Sequence, residues 1–375
     1  MDVAIIGGGI IGCAAAALLA ERGATVALYE ATALAVGASG RNLGAIQHPF
    51  DAVLEPLYHR SLGLYRRLAS EVTSFSIPEQ PAGLLLLNAD QAAARDLAAR
   101  LANQVPTLRP RFLDAHEVVA AEPSLAPGFA ACRLDTGYPI PPRSATTAWS
   151  QLAERNGATL HVGRSATPVI SARRAGGLRL DDGSELPAGA VLVAAGPWSP
   201  ELLPAELSIR RTWGVTVQVQ LGASAPRHVV EEDEVDAVNR PVEAEAAAAA
   251  QGPDADPPSL FSIASAAGIS TLGSTFLPSQ PDPERVAPLL LRRGARFLPA
   301  LADAEVVEVR TCARPQAADG RPFIGPVAGV EGLFVCAGHG PWGISTGPAS
   351  AELVVGSIVD GAALPPELAA DRPLT

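Results

Sequence analysis

The sequence predicts an α/β protein in two parts. One is a domain with a parallel sheet, assembled from both ends and the centre of the chain. The other is an α+β domain with a mainly antiparallel sheet, inserted into the first. Three observations carry this. Residues 1 to 31 read strand, glycine turn, helix, strand. Toward the other end, the apolar run Leu333 to Ala337 precedes a helical pattern from Gly347 to Val359. The middle of the chain holds more strand and less helix, as an inserted second domain would. The expected boundaries put 1–78, 142–208 and 310–375 in the first domain, and 79–141 and 209–309 in the second.

Each element has a local reason. Val3 to Ile6 is a short apolar run, as a strand buried on both faces requires. Gly7 to Gly12 form the turn, and Cys13 to Arg22 an Ala- and Leu-rich helix ended by Gly23. Thr25 to Tyr29 is a second strand. Leu54 to Val72 reads as a helix, Ala82 to Asn88 as a strand, and Ala92 to Asn103 as a helix with Leu97 and Leu101 on one face. Residues 104–142 look irregular and proline-rich. Ala145 to Asn156 is a helix, followed by a strand to Val162. Leu178 to Leu186 is a hairpin turning at Gly183, and Ala190 to Ala194 a further buried strand. Strand signals from 213 to 275 are interrupted near 235–259 by an Ala-, Glu- and Pro-rich stretch that reads as a mobile insertion. Residues 284–298 read as helix and 305–311 as strand.

Composition excludes several classes. Hydrophobic residues make up 48% and charged ones 18%, so the chain can bury a large core and is not intrinsically disordered. Lys+Arg 28 against Asp+Glu 39 gives a net charge of −11, which disfavours nucleic acid as a partner. The acidic run Glu231 to Glu234 reads as a solvated face. Cys13, Cys132, Cys312 and Cys336 form no CxxC pair, and no His/Asp/Glu spacing suggests a metal site. With no membrane span or leader in the pattern, the expectation is a cytoplasmic protein.

Gly7-x-Gly9-x-x-Gly12 lies between a strand and a helix. Gly7 permits a tight turn, Gly9 lets backbone approach a pyrophosphate, and Gly12 lets the helix pack on the strand. The first helical residues, Ile10 and Ile11, bring backbone N–H groups and the positive end of the helix dipole. Glu30, with Ala31 behind it, follows Gly12 by eighteen residues at the end of the second strand, where a carboxylate accepts from a ribose diol. Together these predict a bound dinucleotide.

Three further segments identify which one. The first is Ala38-Ser39-Gly40-Arg41-Asn42-Leu43-Gly44; the second is the strand to Ala195, then Gly196-Pro197-Trp198. The third joins Cys312-Ala313-Arg314-Pro315 through Asp319-Gly320 to Gly338-His339-Gly340-Pro341-Trp342-Gly343-Ile344. In order and spacing they resemble FAD-dependent oxidoreductases of the D-amino-acid oxidase superfamily, the glycine oxidase and sarcosine oxidase group. The resemblance implies a Rossmann-like FAD-binding domain of glutathione-reductase type. It places the 38–44 loop along the FAD pyrophosphate, Val169 at the adenine, the Ala195–Trp198 turn beside the cofactor, and the 338–344 loop at the flavin. It implies that Arg314 pairs with a substrate carboxylate, a task suited to a guanidinium fork. Trp342 and His48 are the other candidates for the reacting side of the flavin, Trp342 as a pocket wall. In sarcosine oxidases the Cys matching Cys312 carries the flavin covalently, so Cys312 is a candidate attachment point. The second Arg that glycine oxidases can carry in the later glycine loop has no counterpart in His339-Gly340-Pro341-Trp342.

The activity implied is oxidation of an amine or amino acid by hydride transfer to flavin N5. It gives an imine, which water hydrolyses, and hydrogen peroxide from dioxygen. The partners are then a small amine or amino acid and dioxygen, with no nucleic acid or membrane; a homo-oligomeric state stays open. Two alternatives remain: a dehydrogenase feeding a quinone or protein acceptor, and a non-catalytic flavin-binding subunit.

Overall fold

A computed structural model describes residues 2–204, 207–233 and 258–373. The expected insertion near 235–259 lies almost wholly outside the described residues. One sheet has six strands, in the order Phe323–Pro326, Leu333–Ala337, Ala190–Val193, Asp2–Ile6, Thr25–Glu30, Thr159–Val162. All neighbours run parallel except the first pair. The unbroken apolar runs follow from coverage on both faces. Val3, Ile5, Val26, Leu28 and Leu192 pack toward the helices. Ala4, Ile6, Tyr29, Val191 and Val193 pack against Leu178 and Leu180 of a three-stranded meander, Ala166–Ser171, Arg174–Leu180 and Glu185–Pro187.

The helix Ile10–Glu21 is buried from Ile10 through Ala20. Its run of small residues, Ala14 to Ala17, lets it fit between the helices Ser144–Arg155 and Gly343–Asp360. It starts at Ile10, directly after Gly9, rather than at Cys13. Likewise the last helix starts at Gly343, four residues before the expected Gly347. Both extensions carry a helix N-terminus to the same place.

The second sheet has eight strands, in the order Glu305–Ala317, Ile209–Gln220, Ile269–Thr275, Ser259–Ala266, Val229–Glu232, Leu84–Asn88, Ala130–Leu134, Arg111–Leu113. Its pairs are antiparallel apart from Val229–Glu232 with Leu84–Asn88. The boundary expected at 310 falls inside the strand Glu305–Ala317, which pairs with Ile209–Gln220 over its whole length, Cys312 opposite Gly214 and Arg314 opposite Thr212. Cys312 and Arg314 are therefore presented by the second sheet.

Two readings need correction. Residues 104–142 are not irregular: they hold the strands Arg111–Leu113 and Ala130–Leu134 around the helix Ala115–Ala121. That helix opens with a capping box between Asp114 and Glu117, a signal present in the sequence. The described part of the acidic run, Glu231 to Asp233, is not a solvated face either; Glu234 lies outside the described residues. Glu231 is 4% exposed. Glu232 pairs with Arg293 at 2.6 Å, and Asp233 accepts from Asn88. Among the described residues, no helix is long and apolar enough to cross a membrane.

Candidate active site

A cavity of about 710 Å³ opens beyond the carboxyl ends of the parallel strands, where open α/β sheets bind ligands. At one end the first glycine turn forms the wall. Gly7 has φ +113°, and a Cβ there would lie 2.4 Å from the Ala194 carbonyl oxygen. A Cβ on Gly12 would lie 1.9 Å from the Gly7 oxygen, so only glycine lets the helix sit this close. Gly12 itself stays behind the wall; Gly7, Gly9, Ile10 and Ile11 line it. The Ser39 hydroxyl accepts from the Ile10 N–H at 2.9 Å. Glu30 and Ala31 also line the cavity. The Glu30 carboxylate accepts from the Gly8 N–H at 2.8 Å and from Thr32 at 3.0 Å, which fixes its orientation.

Ala38, Ser39, Arg41, Asn42 and Leu43 form an adjoining wall. The Asn42 amide ties the loop together, donating to the Ser39 carbonyl and accepting from the Gly44 N–H, both at 2.8 Å. Arg41 donates to the Thr311 carbonyl at 2.7 Å. Buried Arg310 donates to the carbonyls of Gly40 and Asn42 and so holds the loop to the second sheet; burial pulls its pKa down to about 10. Gly40 and Gly44 lie off the wall. Their role is close packing, since a Cβ on either would meet a carbonyl oxygen at 2.0 or 2.5 Å.

Ala195, Gly196 and Trp198 line the cavity, but Val169 does not. The strand Ala166–Ser171 touches it only near Ala166 and Thr167, then runs away into the meander, where Val169 pairs with Gly177. At the C-terminal block, Gly338 turns the chain with φ +97° and stays behind the wall. His339, Gly340, Pro341, Trp342, Gly343 and Ile344 line it, so the N-terminus of the last helix points into the cavity. Burial lowers the His339 pKa to about 3, which keeps the ring neutral.

The second sheet supplies the remaining wall. Arg314 reaches from its edge strand over Gly214, where a Cβ would come within 2.5 Å of the guanidinium. It donates to the Thr275 carbonyl at 3.0 Å and to the Ser274 hydroxyl, and lies 4.7 Å from the Phe276 ring centre. Burial pulls its pKa below the usual value, and no ion pair joins it to a carboxylate among the described residues. Cys312 also lines the cavity at 7% exposure. Burial pushes its thiol pKa up, while Arg314, Arg41 and Arg310 pull the other way.

His48 is not part of this wall. It is fully buried behind it; its neighbour Gln47 lines the cavity instead. His48 Nδ1 accepts from the Phe50 N–H at 3.0 Å, which leaves the ring proton on Nε2, 3.6 Å from Glu55. His48, Glu55 and His59 cluster closely enough to hold an ion, but this tautomer leaves His48 no lone pair to offer. Sequence reasoning missed Gln47, Trp213, Thr216, Glu231, Ser262 and Phe276, all on the cavity wall. Thr216 lies on the neighbouring strand opposite Arg310, and nothing local in the sequence marks any of these residues.

The residues present fit FAD: a glycine backbone cradle, two helix N-termini and an oriented carboxylate face one continuous cavity. Residues 2–356 match the family described as FAD dependent oxidoreductase (DAO). The chain is 30% identical to a glycine oxidase of Geobacillus kaustophilus (strain HTA426) over 374 residues, covering 94% of this chain and 91% of that one. It is 29% identical to a glycine oxidase of Pseudomonas aeruginosa, covering 94% and 93%. Among solved structures, glycine oxidase from Geobacillus kaustophilus superposes with a TM-score of 0.83 at 25% identity, over 100% of this chain and 99% of that chain. Iminodiacetate oxidase from Chelativorans sp. BNC1 shares the fold, with a TM-score of 0.80 at 23% identity over 98% of both. With the cofactor cradle in place and the match running through nearly its whole length, the chain belongs to the DAO family of FAD-dependent oxidoreductases.

Proposed function

We propose that this chain oxidises the C–N bond of an amino or imino acid, with dioxygen as terminal acceptor and hydrogen peroxide as co-product. The observation that carries the reading is Arg314, a buried guanidinium on the cavity wall with no carboxylate partner among the described residues. Two relatives by sequence or fold are named for oxidising carboxylated amines, glycine and iminodiacetate. Bound FAD supplies the two-electron acceptor; the glycine turn, Glu30, the 38–43 loop and the 339–344 loop would hold it.

The rest is positioning. The substrate carboxylate docks on Arg314, which fixes the carbon to be oxidised. Trp213, Phe276 and Trp342 wall the pocket and displace water, which strengthens that ion pair. The substrate gives up a hydride and a proton and leaves as an imine. Water then converts it to an oxo product plus an amine or ammonia. Dioxygen takes the two electrons and two protons. We propose that the flavin is held without a covalent bond, because burial keeps the Cys312 thiol protonated.

The test separates an oxidase from a dehydrogenase. The holoprotein is reduced anaerobically with an amino acid, then mixed with air. Reoxidation within seconds and one peroxide per flavin are expected. A reduced flavin that persists for minutes in air, yet is rapidly oxidised by a quinone, would overturn the oxidase assignment.

A further inference from the structure

We propose that Arg310 is a positioning residue for the cofactor: it turns the backbone N–H of Leu43 into the cavity, and so sets how readily the bound flavin accepts electrons. This rests on the flavin site alone, and not on the substrate or the electron acceptor proposed above. Arg310 is buried behind the cavity wall, two residues before Cys312 on the strand Glu305–Ala317. Among the described residues no carboxylate forms an ion pair with it; Glu308, two residues earlier, pairs with Arg143 at 3.8 Å. Its Nε–H is buried and has no acceptor among the described residues. Core stability alone would favour an apolar side chain at such a position.

The guanidinium holds the loop that carries Arg41. Arg310 faces Thr216 across the strand pair. Together the two side chains take three consecutive carbonyls. Arg310 donates to Gly40 at 3.3 Å and to Asn42 at 3.2 Å, and the Thr216 hydroxyl donates to Arg41 at 3.3 Å. The planar fork reaches two acceptors with two nitrogens, where an ammonium offers one. In a trans peptide the N–H points opposite to the carbonyl that precedes it. The Asn42 carbonyl is drawn back to Arg310, so the Leu43 N–H faces out of the wall, into the cavity that Leu43 lines. That N–H has no acceptor among the described residues. A fixed backbone donor on the cofactor wall favours the negative charge that reduction places on a flavin ring.

The test reads the flavin and not turnover. Holoprotein of the wild type, Arg310→Met and Arg310→Lys is titrated with sulfite, which adds to flavin N5 and reports how electron-poor the ring is. Arg310→Met should bind sulfite at least about tenfold more weakly than the wild type. Its flavin reduction potential, read against a reference dye, should fall as well. Arg310→Lys keeps the charge but loses the fork, so its sulfite affinity should stay nearer to that of Arg310→Met than to that of the wild type. A lowered melting temperature with sulfite affinity and potential unchanged would make Arg310 merely structural and overturn the proposal. Recovery of the wild-type sulfite affinity by lysine would assign the effect to charge and overturn it too. Should Arg310→Met fail to fold, Arg310→Lys decides alone. Reduction by an amino acid enters none of these readouts, so their failure leaves the oxidase assignment standing.

Discussion

Replacing Arg314 by alanine should raise KM for a carboxylated substrate by the equivalent of about 2–5 kcal/mol, roughly thirtyfold to several thousandfold. The guanidinium is pre-positioned by Thr275, Ser274 and Phe276, so little ordering remains when the anion arrives. Its burial disfavours the charge and pulls its pKa down, and a bound carboxylate relieves that cost. The decarboxylated amine of the same skeleton should lose far less, so the ratio of kcat/KM between acid and amine should collapse. Arg314→Lys should recover only part of it, since an ammonium cannot make two parallel bonds. Flavin content should stay unchanged. An unaltered KM for the acid would remove Arg314 from the substrate site.

Gly12→Val should abolish flavin retention and cost at least about 1–3 kcal/mol of stability. Its Cβ would fall 1.9 Å from the Gly7 oxygen, and the helix cannot retreat without dragging Ile10 and Ile11 off the cavity wall. Gly7 cannot yield either, being held at φ +113° against the Ala194 carbonyl. Gly63→Ala is the control. It lies exposed on the helix Glu55–Glu71 with nothing within 4 Å of its Cβ, and should gain about 0.5–1 kcal/mol. Denaturation midpoints and flavin absorbance after purification check both. A yellow Gly12→Val protein of normal stability would contradict the close-packing account.

The parts of the site made by local backbone were legible. A glycine at a fixed offset between a strand and a helix has one structural job, and the residues around Gly7 and Gly340 read directly. Arg314 was picked out because its stretch matches a known pattern, and it stands on the cavity wall. What the chain assembles across strands was not legible. Glu231 and Glu232 look alike in a run of acids, yet one faces the cavity and the other Arg293. Gln47 and His48 are neighbours, and the one that looks chemically useful is buried behind the wall. Which member of each pair faces inward is decided by pairing with strands distant in the sequence: Leu86 and Ser262 flank Glu231, and Ala45 and Ile46, just before Gln47, pair with Pro139 and Tyr138. Val169 lies off the cavity wall, since its strand lines the cavity only as far as Thr167.

The account's central claim is that the glycine turn, the 38–43 loop and the 339–344 loop close on one flavin nucleotide. Acid precipitation of the purified, folded protein tests it most directly. The account predicts a yellow protein that releases one FAD per chain into the supernatant, leaving a colourless pellet. A pellet that keeps the colour would show a covalent bond, for which Cys312 on the cavity wall is the candidate, and would overturn the non-covalent reading. A colourless protein that takes up no added FAD would contradict the claim itself.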